Sequence, residues 1–293
     1  MYFPVDINAL NYAFVVIYMV SVTLETTHGE IVTALRNPRR MGRALLANFV
    51  LVPTVGFILV RALDLRPEIR IGIMMLAVSP GGLFALQFAR ISKGNRVFAV
   101  ALLIVLSVLA ILITPLLLHW FFPGSVSESG SLERFVVLLL LVVGVPLLIG
   151  RALQRLMPAI APTLGRLLGA VSIVIFIIAA LASGKYKMPA IKALGGRGIG
   201  AIVLLTIVSW FIGWVLGGPE IKNRKVLAIS TAMRNFGVCL PLAVYYFSGT
   251  EVIASILAFS GISIPMNMIF ALVASRALRD EEDNMASVHA PMP

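Results

Sequence analysis

The chain has 293 residues, 59% of them hydrophobic and only 13% charged, with a mean hydropathy of +0.99. A soluble domain is about half apolar and about a quarter charged, so a water-soluble globular protein is excluded. The net charge of +11 sits in short clusters between apolar runs, as in the loops of membrane proteins, and argues against a nucleic-acid surface.

Residues MYFPVDINAL carry no basic group ahead of the first apolar run, unlike a cleaved secretory signal. Apolar windows of roughly 20 residues, the length of a transmembrane helix, then predict spans near 7–26, 43–63, 69–91, 97–121, 135–152, 166–184, 198–217, 224–247 and 252–276. The run LLIVLSVLAILITPLLL lacks the alternation of a membrane β-strand. The fold class expected is an all-α polytopic membrane protein with nine transmembrane helices. Residues 1–279 are expected to form one transmembrane domain, and the polar stretch DEEDNMASVHAPMP, 280–293, a disordered cytoplasmic tail.

Lys and Arg concentrate in the loops after the first, third, fifth and seventh spans and at the C-terminus. The positive-inside rule therefore places the C-terminus in the cytoplasm and the N-terminus outside, in a cell (inner) membrane. The segment GKYKMPAIKALGGR runs against this bias.

Two spans are interrupted. The third contains Ser79-Pro80-Gly81-Gly82, where proline removes a backbone donor and the glycines add freedom. The eighth reads STAMRNFG and contains Ser230, Thr231, Met233, Arg234, Asn235 and Gly237, with Pro241 one turn later. Interrupted helices in corresponding positions of two halves point to inverted repeats and a midplane binding site.

An arginine at bilayer depth costs about 2.5–3.5 kcal/mol on insertion scales and does not escape by deprotonating. Arg234 must therefore face a polar interior and find acceptors, and unwound carbonyls supply some. Asn48 and Asn267 are the other isolated amides at depth. No carboxylate stands inside a span: Glu25 and Glu251 lie at span ends, and His28, His119 and His289 are peripheral, so no proton relay is visible. A lone cysteine, Cys239, leaves no disulfide or multi-cysteine metal site and reads as a packing residue. No GxSxG, HExxH or GxxxxGK[ST] pattern occurs, which argues against an enzyme or an ATP-driven pump. No cofactor, metal or nucleic-acid partner is expected. The partners are a small organic anion and the bilayer, and the oligomeric state stays open.

SPGG in a broken helix, KGN just after it, ITP about twenty residues on, and RN then G in a second broken helix resemble the bile acid/sodium symporter superfamily. YMVSVTL followed by RNPRR is similar to its early segment. The resemblance runs from about residue 12 to 276. It implies two inverted five-helix repeats, about 7–121 and 135–276. A panel domain (7–26, 135–152, 166–184) packs against a core whose two discontinuous helices cross, with an elevator or rocking motion. This chain resembles a divergent nine-helix member lacking the first family helix.

It departs from the sodium-coupled pattern. A Ser-Asn pair of that pattern reads Ala85 and Leu86 here, and hydroxyl residues of the next helix read Ala99 and Leu103. A core glutamine reads Asn48. The sodium-ligating glutamate falls at Ser230 and a glutamine at Arg234. Sodium is a hard cation that needs several oxygens, by analogy with calcium and magnesium. The expectation is a sodium-independent secondary transporter of a small organic anion, carboxylate or steroid-like, with Arg234 in place of the coupling cation. The resemblance places substrate near Asn235, Asn267, Gly81, Gly82, Leu83 and Asn48, with Ser79, Pro80, Ser230, Thr231, Met233 and Gly237 shaping the crossing. A sodium- or proton-coupled symporter and an auxin- or arsenite-type efflux carrier stand as alternatives, and a membrane sensor or scaffold is the reading from another class.

Overall fold

The computed structural model describes residues 7–121, 132–247 and 249–288, and among them there are helices and turns but no strand. Helix α1 (Ile7–Glu25) is followed by the short α2 (His28–Leu35), whose start is a capping box. Thr27 Oγ1 accepts from Glu30 N–H, and the Glu30 carboxylate accepts from Thr27 N–H, so each residue satisfies an orphan donor of the other. RNPRR is likewise a helix start: Asn37 Oδ1 accepts from Arg40 N–H at 3.0 Å, and Pro38 takes the first position, where its missing N–H costs nothing. From there α3 (Pro38–Leu46) runs through one π turn, Ala47–Leu51, into α4 (Val52–Ala62).

The third expected span is divided. Helix α5 (Pro67–Ala77) stops short of Pro80, and α6 (Ala85–Ile91) resumes after Gly81, whose φ of 81° is open to glycine but strained for other residues. KGN is the turn that follows: Gly94 N–H closes back on Ala89 O at 2.8 Å, and Asn95 Oδ1 caps α7 (Arg96–Phe121) by accepting from Phe98 N–H at 3.1 Å. ITP sits in α7, where Thr114 Oγ1 donates to Val78 O in the first break at 2.8 Å.

The second half begins with α8 (Leu132–Leu139), a π turn and α9 (Val145–Leu156). Helix α10 (Ala161–Leu216) holds the sixth and seventh expected spans, broken only at Gly195 (φ 64°, ψ 177°). The segment 185–197, expected as a loop, is therefore helical apart from that glycine. Its apolar Ala190 and Leu194 are buried, and that packing holds the helix through Pro189. The eighth span is divided into α11 (Ile221–Ala232) and α12 (Phe236–Tyr246). Helix α13 (Glu251–Val288) runs past Asp280, so 280–288, expected as tail, continue the helix, and 289–293 lie outside the described residues.

Among the described residues, seven helices are long and apolar enough to cross a membrane: Pro38–Ala62, Arg96–Phe121, Val136–Leu156, Ala161–Gly184, Tyr186–Leu216, Ile221–Tyr246 and Glu251–Arg276. They fall on the second and the fourth to ninth expected spans. The first is the shorter apolar α1, and the third is split into two pieces each too short to qualify, so length and composition yield seven rather than nine. Large side chains such as Leu148, Leu181 and Phe211 face outward, as a lipid-contacting surface requires. This is a multi-pass membrane protein.

Burial separates two kinds of helix. The apolar stretch of Ile221–Tyr246 is 100% buried, whereas that of Ala161–Gly184 is 17% buried. Irregular backbone survives at membrane depth only where protein or water covers it, and the second break has that cover. Helix α1 meets α9 and the first part of α10 through small residues: a Cβ on Gly150 would lie 2.8 Å from Thr23 Cβ, and Ser21 Oγ donates to Gly165 O at 2.8 Å.

Candidate functional site

The two breaks meet. Asn235 N–H donates to Ser79 O at 2.9 Å. A Cβ on Gly82 would stand 2.2 Å from Met233 O and 2.8 Å from Arg234 O, a distance no side chain tolerates, so each irregular segment lies directly on the other. Gly82→Ala is expected to abolish any transport activity and to lower the melting temperature by several degrees, because overpacking against backbone costs about 1–3 kcal/mol or more. Gly42→Ala, where an added Cβ meets nothing within 4 Å, is the control; unchanged melting of both variants would refute the close contact.

Arg234 fills the crossing. It is fully buried, and its guanidinium makes five hydrogen bonds. Nε donates to Leu76 O (3.1 Å), Nη1 to Asn48 Oδ1 (3.0 Å) and Thr231 O (3.1 Å), and Nη2 to Ala77 O (2.6 Å) and Asn48 O (3.3 Å). A guanidinium has five N–H donors, so none is left over. The acceptors are four carbonyls and one amide oxygen, with no carboxylate among them.

Local structure explains why those carbonyls are free. Leu76 and Ala77 end α5, and Thr231 lies in the last turn of α11, where carbonyls lack the usual helical donors. Leu76 O also accepts from Ser79 N–H at 3.0 Å and shares its second lone pair with Arg234. A helix C-terminus is equivalent to about −0.5 charge, so two of them aimed at one guanidinium roughly match its +1. Asn48 O is freed differently. In the π turn Val52 N–H bonds Ala47 O, and the next candidate donor is residue 53, a proline without N–H. The side chain of Asn48 is fixed by Nδ2 donating to Ala44 O at 3.0 Å, which turns Oδ1 toward Arg234. Its side-chain and backbone oxygens both accept from Arg234, so the structure sets Asn48 beside the arginine.

The remaining expected residues divide into two groups. Asn235 caps α12, its Oδ1 accepting from Val238 N–H at 3.3 Å, and Thr231 Oγ1 bonds Ser209 O at 2.8 Å. Ser79, Pro80, Gly81, Leu83, Ser230, Met233 and Gly237 are buried around the crossing. Asn267 is engaged elsewhere: its Oδ1 accepts from Trp210 Nε1 at 2.9 Å, and its Nδ2 donates to Ser263 O at 2.8 Å. Those bonds tie α13 to α10 and do not reach Arg234.

Sequence reasoning missed an aromatic cluster. Phe84 and Phe236, each just beyond a break, stack with ring centroids 6.2 Å apart. Phe176 of α10 lies 4.2 Å from Phe84, and Phe14 of α1 lies 5.5 Å from it. The matched positions of the two phenylalanines after SPGG and RN were the available signal. On one side of the cluster Tyr18, 5.8 Å from Phe14, lines a cavity of about 510 Å³ between α1, α6 and α10; on the other, Phe176 and Phe236 line a space of only about 20 Å³. The rings of α1 and α10 thus close against the rings of the two broken helices.

The profile of the Sodium Bile acid symporter family matches residues 13–191. The chain is 25% identical over 248 residues to the uncharacterized sodium-dependent transporter YocS of Bacillus subtilis, covering 83% of this chain and 76% of that one. It is 25% identical over 243 residues to the probable sodium/metabolite cotransporter BASS2, chloroplastic, of Oryza sativa, spanning 55% of that protein. It is 23% identical over 232 residues to the hepatic sodium/bile acid cotransporter of Homo sapiens, spanning 65% of it. With the profile covering well over half of its length, and two broken helices crossing at its centre, the chain belongs to the sodium bile acid symporter family of membrane transporters.

Proposed function

We propose that the protein is a secondary transporter of a small organic anion, a carboxylate or a steroid- or bile-acid-like molecule, that works by alternating access without a coupling sodium ion. The observation that carries this reading is the buried Arg234 guanidinium, bonded to the ends of both broken helices and to Asn48. It supplies a permanent positive charge of the kind a bound alkali ion would provide. In this reading the chain crosses the inner membrane nine times, N-terminus outside, as two inverted repeats. Helices α1 and α8–α9 and the first part of α10 form a panel, and the rest is a core that moves against it. Gly81, Gly82, Leu83 and Asn235 border the substrate, with the backbone N–H groups just after Pro80-Gly81-Gly82 offered to an anion. Asn267 joins them only by exchanging Trp210 for substrate.

Sodium coupling is the second reading, and the names of relatives favour it, since YocS and the hepatic carrier are called sodium-dependent or sodium cotransporters. Against it stands the ligand set: the guanidinium already takes the carbonyls that a sodium ion would need. Uptake of labelled 2-oxo acids and taurocholate into proteoliposomes is expected to be equal in sodium and choline buffers. A strict sodium requirement would overturn the proposal.

A further inference from the structure

We propose that the cavity of about 510 Å³ between α1, α6 and α10 is an oxyanion-binding subsite. There the Tyr18 hydroxyl and the guanidiniums of Arg90 and Arg166 take the anionic end of an amphipathic organic acid. The inference rests on the transport reading and names where the substrate's charge is first held.

Four observations carry it. The charge is unbalanced: Arg90, Arg96 and Arg166 line the cavity with a single acid, Glu25. Glu25 is shared, its Oε2 lying 3.1 Å from Arg90 Nη2 and 3.7 Å from Arg96 Nη2, so one carboxylate serves two cations. Arg166 meets no acid; its bonds are to Pro162 O at 3.4 Å and Thr163 Oγ1 at 3.3 Å, both long and on its own helix. Finally, Tyr18 is 3% exposed and lines the same cavity, where its hydroxyl neighbours the Gln87 amide and no charged group bonds it. A tyrosine hydroxyl both donates and accepts, so with the Gln87 amide donating to it the O–H is left to donate to a ligand oxygen.

The lining also defines the ligand. Arginine forks match the two oxygens of a carboxylate, sulfonate or phosphate. Gln87 adds an amide, while Val22, Leu86 and Ile173 present hydrocarbon. The volume suits a small organic acid, since ligand pockets run about 300–1,000 Å³. Lined along α1 from Tyr18 to Glu25, the cavity lies toward the Glu25 end of that helix, the cytoplasmic side in the proposed orientation. The same oxyanion chemistry is offered by an acidic lipid headgroup or by free phosphate.

The test is calorimetric titration of the detergent-purified protein, with no gradient, using 3-methyl-2-oxobutanoate and taurocholate. Isobutyramide serves as the uncharged counterpart of the oxo acid, and inorganic phosphate and dioleoylphosphatidylglycerol as the other two oxyanion sources. Tyr18→Phe removes one oxygen and Arg166→Gln changes an exposed side chain, so both variants should keep the wild-type melting temperature. The organic anions are expected to bind the wild type in preference to isobutyramide. Tyr18→Phe should weaken them about tenfold and Arg166→Gln at least tenfold. Equal affinity in wild type and both variants, binding of isobutyramide as tight as the acid, or competition by the lipid or phosphate alone would overturn the proposal. Uptake in proteoliposomes decides the transport reading separately: transport that persists in both variants without loss of affinity sinks the subsite and leaves the carrier standing.

Discussion

Arg234→Met is expected to yield a protein that barely holds its fold and transports nothing. The side chain gives up five hydrogen bonds, to Leu76, Ala77, Thr231 and twice to Asn48. Bonds to charged groups are worth about 1.5–3 kcal/mol each net, so their loss amounts to roughly 7 kcal/mol at the low end. Removing the guanidinium also relieves its burial, about 2.5–3.5 kcal/mol on insertion scales. The balance, about 4 kcal/mol or more, is comparable with the whole stability of many domains, about 5–15 kcal/mol. The two helix C-termini would also face each other without a cation between them. Arg234→Lys should fall between wild type and the methionine variant, because an ammonium keeps the charge but offers three donors to five acceptors. Thermal unfolding in detergent and uptake in proteoliposomes measure both effects. A methionine variant that melts and transports like wild type would show that the crossing does not depend on this cation.

How far the sequence could be read depended on whether a feature is local. The breaks were legible because Pro80, Gly81 and Gly82, and then Arg234 in an uncharged run, are anomalies that need no partner to be seen. That Arg234 had to find acceptors followed from its charge alone, and Asn48 stood out as an amide at depth. Which acceptors it found was not legible. The release of Asn48 O needs a π turn that contains it and a proline, Pro53, at one register position, and a helix with ordinary spacing looks the same in sequence. The partner of Asn267 was hidden for the opposite reason: an isolated amide at depth reads alike whether it faces a crossing or a tryptophan on a neighbouring helix. The segment 185–197 fell between two apolar windows and so read as a loop, while burial of Ala190 and Leu194 kept the helix going. The arginines of the large cavity looked like ordinary loop cations, since Arg90, Arg96 and Arg166 come together only when α6, α7 and α10 are folded.

Arg234→Gln makes a sharper test of the charge argument than deletion does, because glutamine is the residue the sodium-coupled pattern carries at this place. Methionine removes the cation and offers nothing in return; glutamine removes the cation and adds an oxygen. With the guanidinium gone, the carbonyls of Leu76, Ala77, Asn48 and Thr231 and the Asn48 Oδ1 converge on an empty position, and hard cations are held by such oxygen sets. The helix C-termini supply about −1 of charge, which one sodium ion would balance as Arg234 does. The glutamine variant is therefore expected to be unstable in choline and rescued by sodium, by about 1.4 kcal/mol when sodium is tenfold above its Kd, while the methionine variant stays unstable in both. Adding Ser230→Glu, at a buried position one turn earlier in α11, introduces a charge that needs a second ion. Stability of the double variant should then rise more steeply with sodium concentration than that of Arg234→Gln alone. Melting curves across sodium and choline series decide it: if sodium leaves the glutamine variant where choline does, the guanidinium is a structural bolt and not a stand-in for a coupling ion.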